Sequence, residues 1–236
     1  MSEFRFKQFS VINDRSAMKV NTDGVLLGAA VSTEALPAAP RILDVGTGTG
    51  TIALMLAQRV PDAQVDAVEV DAPSALEASA NFASSPWPDR LYLHGCALQS
   101  FVPDGKYDLV VSNPPYFDDS LRNPDGRKAD ARHTASLSYR EILAFAAEWL
   151  TEDGAVAMIL PSEVEKDLLR CARSYSLRAS RILRVCTTEK KAPRRIVAEF
   201  SRTDAGAFRE DTLVIMKEGR YTDRYTALLK DFLITL

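Results

Sequence analysis

Apolar residues along this chain fall into short continuous runs, separated by stretches in which apolar and polar positions recur at helical spacing. From Arg41 the two patterns alternate. Arg41-Ile-Leu-Asp-Val45 reads as a buried strand, Gly50 to Val60 as a helix, and Gln64-Val-Asp-Ala-Val-Glu-Val70 as a second strand. Asp71 reads as the N-cap of a helix that carries Pro73 in its first turn and runs to about Ala83. Leu91-Tyr-Leu93 and Tyr107–Ser112 supply a third and a fourth strand. Ser138 and Glu141 predict a capping box before a helix to Leu150, and Ser162 and Glu165 a second box before a helix to about Ser174. Between these helices lies a fifth strand, Ala155–Leu160. Two more follow near Leu177–Cys186 and Ile196–Arg202, and Leu213–Met216 is a further candidate.

This alternation predicts an α/β fold with a doubly wound, mainly parallel sheet covered on both faces. Such sheets take ligands at the carboxyl ends of their strands. The loops after Val45, Val70, Leu93 and Ser112 are therefore expected around one crevice. The first 40 residues precede the sheet. Alternating Phe4 and Phe6 and the helix-like stretch Gly24–Val31 predict that residues 1–40 form a small cap over the crevice, with 41–236 as the main part of a single globular unit.

Composition narrows the classes of function. The 236 residues are 46% apolar, enough for a sizeable core, and the formal charge of −3 gives no general attraction to nucleic acid. An RNA partner would have to be held by local basic patches. Residues 1–7 offer no apolar stretch for a signal peptide, and the longest apolar run, around Gly24 to Val31, is too short to span a bilayer, so the expected location is the cytoplasm. Three cysteines without metal-type spacing read as reduced thiols, and with only two histidines no metal site is expected.

The first loop, Asp44-Val-Gly46-Thr-Gly48-Thr-Gly50, lets the backbone approach a ligand closely. Its spacing is G-x-G-x-G. The dinucleotide fingerprint would need glycine at Thr51, so NAD and FAD fit poorly. The carboxylate of Asp44 would repel a pyrophosphate and suits a cation such as the ammonium of S-adenosylmethionine. Glu69, near the end of the second strand, can accept hydrogen bonds from both ribose hydroxyls.

The most specific feature is Asn113-Pro114-Pro115-Tyr116 after the fourth strand. An amino group on adenine or an amide donates its lone pair into a π system and is a poor nucleophile. The Asn113 side-chain oxygen and the Pro114 carbonyl can each accept one of its N–H groups and draw the nitrogen toward tetrahedral geometry. Pro115 holds the turn open, and Tyr116 offers a face on which a flat base can stack. Positioning and preorganised dipoles would supply most of the catalysis, with no metal.

Asp44–Gly50, Glu69 and Asn113–Tyr116 together resemble the class I S-adenosylmethionine-dependent methyltransferases that methylate amino nitrogens, over roughly residues 41–202. This resemblance implies a Rossmann-like, mainly parallel seven-stranded sheet with an antiparallel strand near the C-terminus. A narrower one lies at the two ends. Phe9-Ser-Val through Met18-Lys19-Val-Asn-Thr22-Asp23-Gly24-Val-Leu-Leu-Gly28-Ala, and Tyr221-Thr-Asp-Arg-Tyr225-Thr-Ala-Leu-Leu-Lys-Asp-Phe232, are similar to the ends of the bacterial tRNA1(Val) adenine-N6 methyltransferase family. That family implies methylation of the adenine next to the anticodon, with the anticodon loop as partner and S-adenosylmethionine as methyl donor; the expected working form is a monomer. It also implies that Lys19–Gly24 closes over the cofactor, making Lys19, Thr22 and Asp23 candidate contacts.

Two positions depart from the pattern. Methyltransferases often carry Asp after the third strand, contacting the cofactor adenine. Here His94-Gly95-Cys96-Ala97 stands there, which leaves Cys96 as a weak acceptor and the Ala97 N–H as a candidate donor. Position 21 is Asn where Gly is expected, and Asn is expected to tolerate a positive φ there. Lys190, Lys191, Arg194 and Arg195, between the last two main strands, are candidate phosphate contacts, as are Arg132 and His133 after the tetrad.

Three other readings use the same motifs. Glutamine-N5 methyltransferases of release factors resemble this core but carry a sizeable helical domain ahead of the glycine loop, for which 40 residues leave little room. DNA adenine methyltransferases need a target-recognition domain larger than Phe117–Leu137. A non-catalytic RNA-binding protein would have no use for Asn113 together with the cofactor acids.

Overall fold

The computed structural model describes residues 2–16, 18–115, 137–203 and 207–235. A hairpin of β1 (Glu3–Arg5) and β2 (Ser10–Ile12) leads to α1 (Thr22–Ala30). There follow β3 (Arg41–Val45), α2 (Thr51–Arg59), β4 (Gln64–Val68), α3 (Ala72–Ala83), β5 (Leu91–His94) and β6 (Tyr107–Ser112). The second half holds α4 (Tyr139–Trp149), β7 (Leu150–Pro161), α5 (Glu165–Ser174), β8 (Arg178–Thr188), β9 (Arg195–Ser201), β10 (Arg209–Lys217), β11 (Arg220–Tyr221) and α6 (Asp223–Leu229).

The central sheet has the order β11-β10-β8-β9-β7-β6-β3-β4-β5. Strands β7, β6, β3, β4 and β5 are parallel neighbours, and β9 runs antiparallel between β7 and β8. These are the expected seven strands with the antiparallel one near the C-terminus. Strand β10 adds itself parallel to β8, and β11 pairs antiparallel with β10 at the edge. The chain leaves β3 toward β4 on one side and returns to β6 on the other, so the crevice opens between the loops that follow β3 and β6.

Successive strand residues serve opposite faces. Ile42, Val65 and Leu109 face a layer made by α1, α2, α3 and α6, with Leu27, Met55, Phe82 and Leu229 fully or nearly fully buried. Leu43, Val110 and Met158 face α4 and α5 through Ile142, Leu143 and Leu168. Helix α1 is buried from Gly24 to Ala30, which accounts for its lack of a polar stripe. It belongs to the covering layer, while the residues just before it reach the crevice.

Local signals fared differently. Asp71 caps α3 by accepting from Ser74 N–H (3.0 Å), and Ser138 and Glu141 form the predicted box on α4. The second predicted box does not form. Ser162 Oγ donates instead to the Pro193 carbonyl (2.6 Å), Glu165 pairs with Arg184 (2.6 Å), and α5 begins only at Glu165. Asn21 is extended, with φ −138°, rather than left-handed, because its side chain caps α1 by accepting from Gly24 N–H (2.9 Å).

The N-terminal segment is fixed to α3 by two side chains one helical turn apart. The Glu77 carboxylate accepts the N–H groups of Asp14 (2.7 Å), Arg15 (2.9 Å) and Ser16 (2.9 Å). Asn81 accepts from Ile12 N–H (2.8 Å) and donates to the Ile12 carbonyl (3.1 Å) and to the Thr49 carbonyl of the glycine loop (2.8 Å). The two ends of the chain also meet. Lys7 N–H donates to the Phe232 carbonyl (2.8 Å), Phe6 forms a bridge with Leu233, and Gln58 donates to the Asp231 carbonyl (3.0 Å).

Burial opposes the charge of Glu77, but the backbone N–H groups of Arg15, Ser16 and Asp14 outweigh it and hold its pKa below the ordinary 4.5. A depressed carboxylate contributes stability in full above its ordinary value and loses it as pH falls through the lowered one. Glu77→Gln should therefore destabilise the protein by about 1–3 kcal/mol near neutral pH. In urea unfolding, the gap to the wild type should close as the pH drops below the ordinary carboxylate range. A gap that widens in acid would refute this role.

Candidate active site

The loops after β3, β4, β5 and β6 enclose a cleft of about 490 Å³. Its walls include Gly46 and Gly48, Glu69 to Asp71, Cys96 to Gln99, and Asn113 with Pro115, and Met18 to Asn21 form its rim. The four loops named from the strand pattern therefore share one crevice, and the segment before α1 joins them.

The glycine loop is shaped by backbone that other residues adopt poorly. Gly46, Gly48 and Gly50 all have positive φ, and a Cβ on Gly50 would lie 2.4 Å from the Phe82 ring. Gly50 is the N-cap of α2 and is absent from the cleft wall. Beneath the loop lies Asp44, fully buried. Its Oδ2 accepts from Thr47 Oγ1 (2.6 Å) and Ala53 N–H (3.2 Å), while Oδ1 has no hydrogen-bond partner. Desolvation pushes its pKa up to about 7, against the Thr47 and Ala53 hydrogen bonds and with some help from Glu69. A cation above the loop would supply the missing compensation.

Glu69 lines the cleft and is buried. One oxygen accepts from Gly48 N–H (2.8 Å) and the other from Asp71 N–H (2.9 Å). Its own N–H donates to the His94 carbonyl (3.1 Å). Each carboxylate oxygen keeps a second lone pair, the capacity needed for two ribose hydroxyls.

Asn113 leaves the end of β6 buried, with Pro114 buried behind it. Its Nδ2 donates to the Met18 thioether at 3.7 Å, which turns the amide nitrogen toward the rim segment. Cys96 and Ala97 lie on the wall as expected. The remaining cofactor candidates are bonded to other groups or lie off the wall. Lys19 is on the rim, but its ammonium donates to the Asn13 (2.7 Å) and Asp14 (2.6 Å) carbonyls. Thr22 is exposed at the start of α1 and is not on the wall. Asp23 pairs with Arg195 Nε at 2.7 Å.

That ion pair joins candidates expected at two different sites. Lys190, Lys191 and Arg194 are exposed in the β8–β9 turn, whereas Arg195 is half-buried against α1. The turn is anchored to the end of β7 by Ser162, whose N–H donates to the Arg194 carbonyl (3.2 Å). Tyr116, Arg132 and His133 lie outside the described residues. Sequence reasoning missed Met18 and Gln99, which line the cleft, and Glu77 and Asn81, which hold the segment and loop beside it. Glu77 and Asn81 left one trace, two polar side chains four positions apart on a helix with few other reasons to bury them.

The sequence matches the methyltransferase small domain family over residues 16–170. It is 44% identical over 236 residues to a tRNA1(Val) (adenine(37)-N6)-methyltransferase of Parabacteroides distasonis, covering 99% of this chain and 98% of the relative. The chain belongs to that methyltransferase family. A namesake from Bacteroides thetaiotaomicron is 41% identical over 234 residues, covering 99% of this chain and 98% of its own. Among solved structures, a predicted O-methyltransferase of Agrobacterium tumefaciens shares the fold with a TM-score of 0.67 at 17% identity, over 89% of this chain and 96% of that one. Among the described residues no helix is long and apolar enough to cross a membrane.

Two measurements test the cofactor side of this cleft. Glu69→Ala should weaken S-adenosylmethionine binding by about 1–3 kcal/mol in calorimetry, and unchanged affinity would remove Glu69 from the site. A bound ammonium favours the charged form of Asp44, so binding should release a proton. Affinity should then climb as pH rises through about 7 and level off above it. Asp44→Asn should flatten that climb; an identical pH profile would separate Asp44 from the ligand.

Proposed function

We propose that this protein transfers the methyl group of S-adenosylmethionine to the N6 amino group of adenine 37 in tRNA1(Val), the reaction named for its relatives. The observation that carries this reading is that Asn113 shares one cleft with Gly46, Gly48 and Glu69. An acceptor suited to an amino group thus stands beside a cradle suited to a nucleoside with a cationic tail.

S-adenosylmethionine supplies an electrophilic methyl group on a sulfonium sulfur. Glu69 is suited to its ribose hydroxyls, the glycine loop to close approach of its methionine part, and Asp44 to neutralising the ammonium through the loop. The Asn113 oxygen accepts one N–H of the target adenine and the Pro114 carbonyl the other. Together they would localise the nitrogen lone pair, so that it can form the new N–C bond as the methyl–sulfur bond breaks and the sulfonium leaves as the neutral thioether of S-adenosylhomocysteine. The methylated nitrogen would then give one proton to solvent and recover a neutral amine. Met18 is suited to keep the Asn113 amide nitrogen away from the substrate, so that an oxygen rather than a donor meets the amine.

The target base must leave its stack to reach Asn113, and Tyr116 is proposed to receive it. Lys190, Lys191 and Arg194 lie in the β8–β9 turn, which Ser162 ties to the carboxyl end of β7, and are proposed to hold phosphates of the anticodon arm. Residues 1–40 are proposed to close the cofactor side through Met18–Asn21. The working form is proposed to be a cytoplasmic monomer, in keeping with the short edge strands β5 and β11, which offer little backbone to a second copy.

Single-turnover methylation of tRNA should separate these roles. Asn113→Ala should lower the rate on the order of a hundredfold or more, with cofactor affinity little changed. Tyr116→Phe should stay active, whereas Tyr116→Ala should weaken RNA binding by about 1–3 kcal/mol. Equal inactivity of Tyr116→Phe and Asn113→Ala would give the hydroxyl a chemical part and end the stacking account.

Replacing Lys190, Lys191 and Arg194 by serine should reduce the slope of log affinity against log salt by about 2 to 3, at roughly 0.7–0.9 per phosphate contact. An unchanged slope would make the turn a solvated hairpin.

A further inference from the structure

An adenine bound in this cleft would have to be read without the usual aspartate. The 6-amino group of adenine is a donor and needs an acceptor. Cys96, at the expected position, offers a thiol, which accepts weakly. Three carbonyls nearby already accept hydrogen bonds. His94 accepts from Glu69 N–H (3.1 Å) and Cys96 N–H (2.9 Å), Ala97 from Ser100 N–H (3.0 Å) and its hydroxyl (3.0 Å), and Leu98 from Phe101 N–H (3.1 Å).

Gln99 sits on the same turn and lines the cleft. Its Nε2 donates to Glu141 Oε1. The other oxygen of Glu141 accepts from Ser138 N–H (2.8 Å) and Ser138 Oγ (2.8 Å), the reciprocal half of the α4 capping box. Burial works against the Glu141 charge, yet the hydrogen bonds from Gln99 and Ser138 prevail and hold its pKa below the usual range. An ionised carboxylate only accepts, so the Gln99 amide must turn its NH₂ to Glu141. Its oxygen then remains as the strong side-chain acceptor of this turn.

We propose that Gln99 Oε1 accepts the 6-amino group of the cofactor adenine in place of the missing aspartate, and that Glu141 is the positioning residue that fixes the orientation of its amide. This rests on the S-adenosylmethionine reading above. It makes the first turn of α4 part of cofactor selection, although Glu141 itself does not touch the ligand.

Calorimetry with S-adenosylhomocysteine and its 6-deamino purine analogue tests the assignment without turnover. The wild-type chain should prefer the adenine compound by about fivefold, the worth of one modest hydrogen bond. Gln99→Leu should bind the two equally, with the loss falling on the adenine compound. Glu141→Gln keeps a residue able to complete the capping box but frees the Gln99 amide to flip, so the preference should shrink part of the way. A Gln99→Leu protein that still prefers the adenine compound as the wild type does would overturn the role of Gln99. Full preference in Glu141→Gln would overturn the positioning role. Failure of the wild-type chain to bind either compound would instead bring down the cofactor reading itself.

Discussion

The crevice depends on one carboxylate. Glu69 holds the glycine loop through Gly48 N–H, the start of α3 through Asp71 N–H, and the loop after β5 through its own N–H on the His94 carbonyl. Three of the four loops around the cleft are thus referred to one buried residue. Donors bonded to a charged acceptor are held more firmly than neutral pairs, so the cradle exists before any ligand arrives. A nucleoside entering it would meet an organised site and would not have to pay for ordering the loops.

A second layer of polar contacts ties the N-terminal segment to the same framework. Asn81 bridges Ile12 to Thr49, so the segment before α1 and the glycine loop share one side chain. Three consecutive N–H groups converge on Glu77 just upstream. Met18 then reaches Asn113 across the cleft. The rim is connected both to the residues suited to the cofactor and to the residue suited to the target amine, which lets occupancy on one side bear on geometry at the other.

Much of this was legible in the sequence, because strands buried on both faces must be continuous apolar runs and because a tight loop with positive φ must be rich in glycine. Arg41–Val45 and Tyr107–Ser112 needed no other signal, and the Asn-Pro-Pro-Tyr motif directed attention to the right end of β6. What escaped depends on partners distant in the chain. Ser162 had the residues of a capping box, but the Pro193 carbonyl, brought alongside by β9, took its hydroxyl. Arg195 read as one of four candidate phosphate contacts, but α1 places Asp23 against it. Gln99 and Glu141 carry no shared motif; only the packing of α4 beside the loop after β5 makes them a pair. Helix α6 and the β1–β2 hairpin are too short to declare themselves by periodicity, and each is held by the other end of the chain.

That last arrangement bears on the order of folding. Phe6 and Lys7 meet Leu233 and Phe232 across a very long separation in sequence. The parallel strands, the glycine loop and Glu69 are joined by contacts of shorter span and can assemble while the β1–β2 hairpin still lacks these partners. The rim of the cleft would then be completed in a late docking step, after the central sheet has formed. Shortening α6 would be felt at the edge of the active site, although the helix contributes no residue to it.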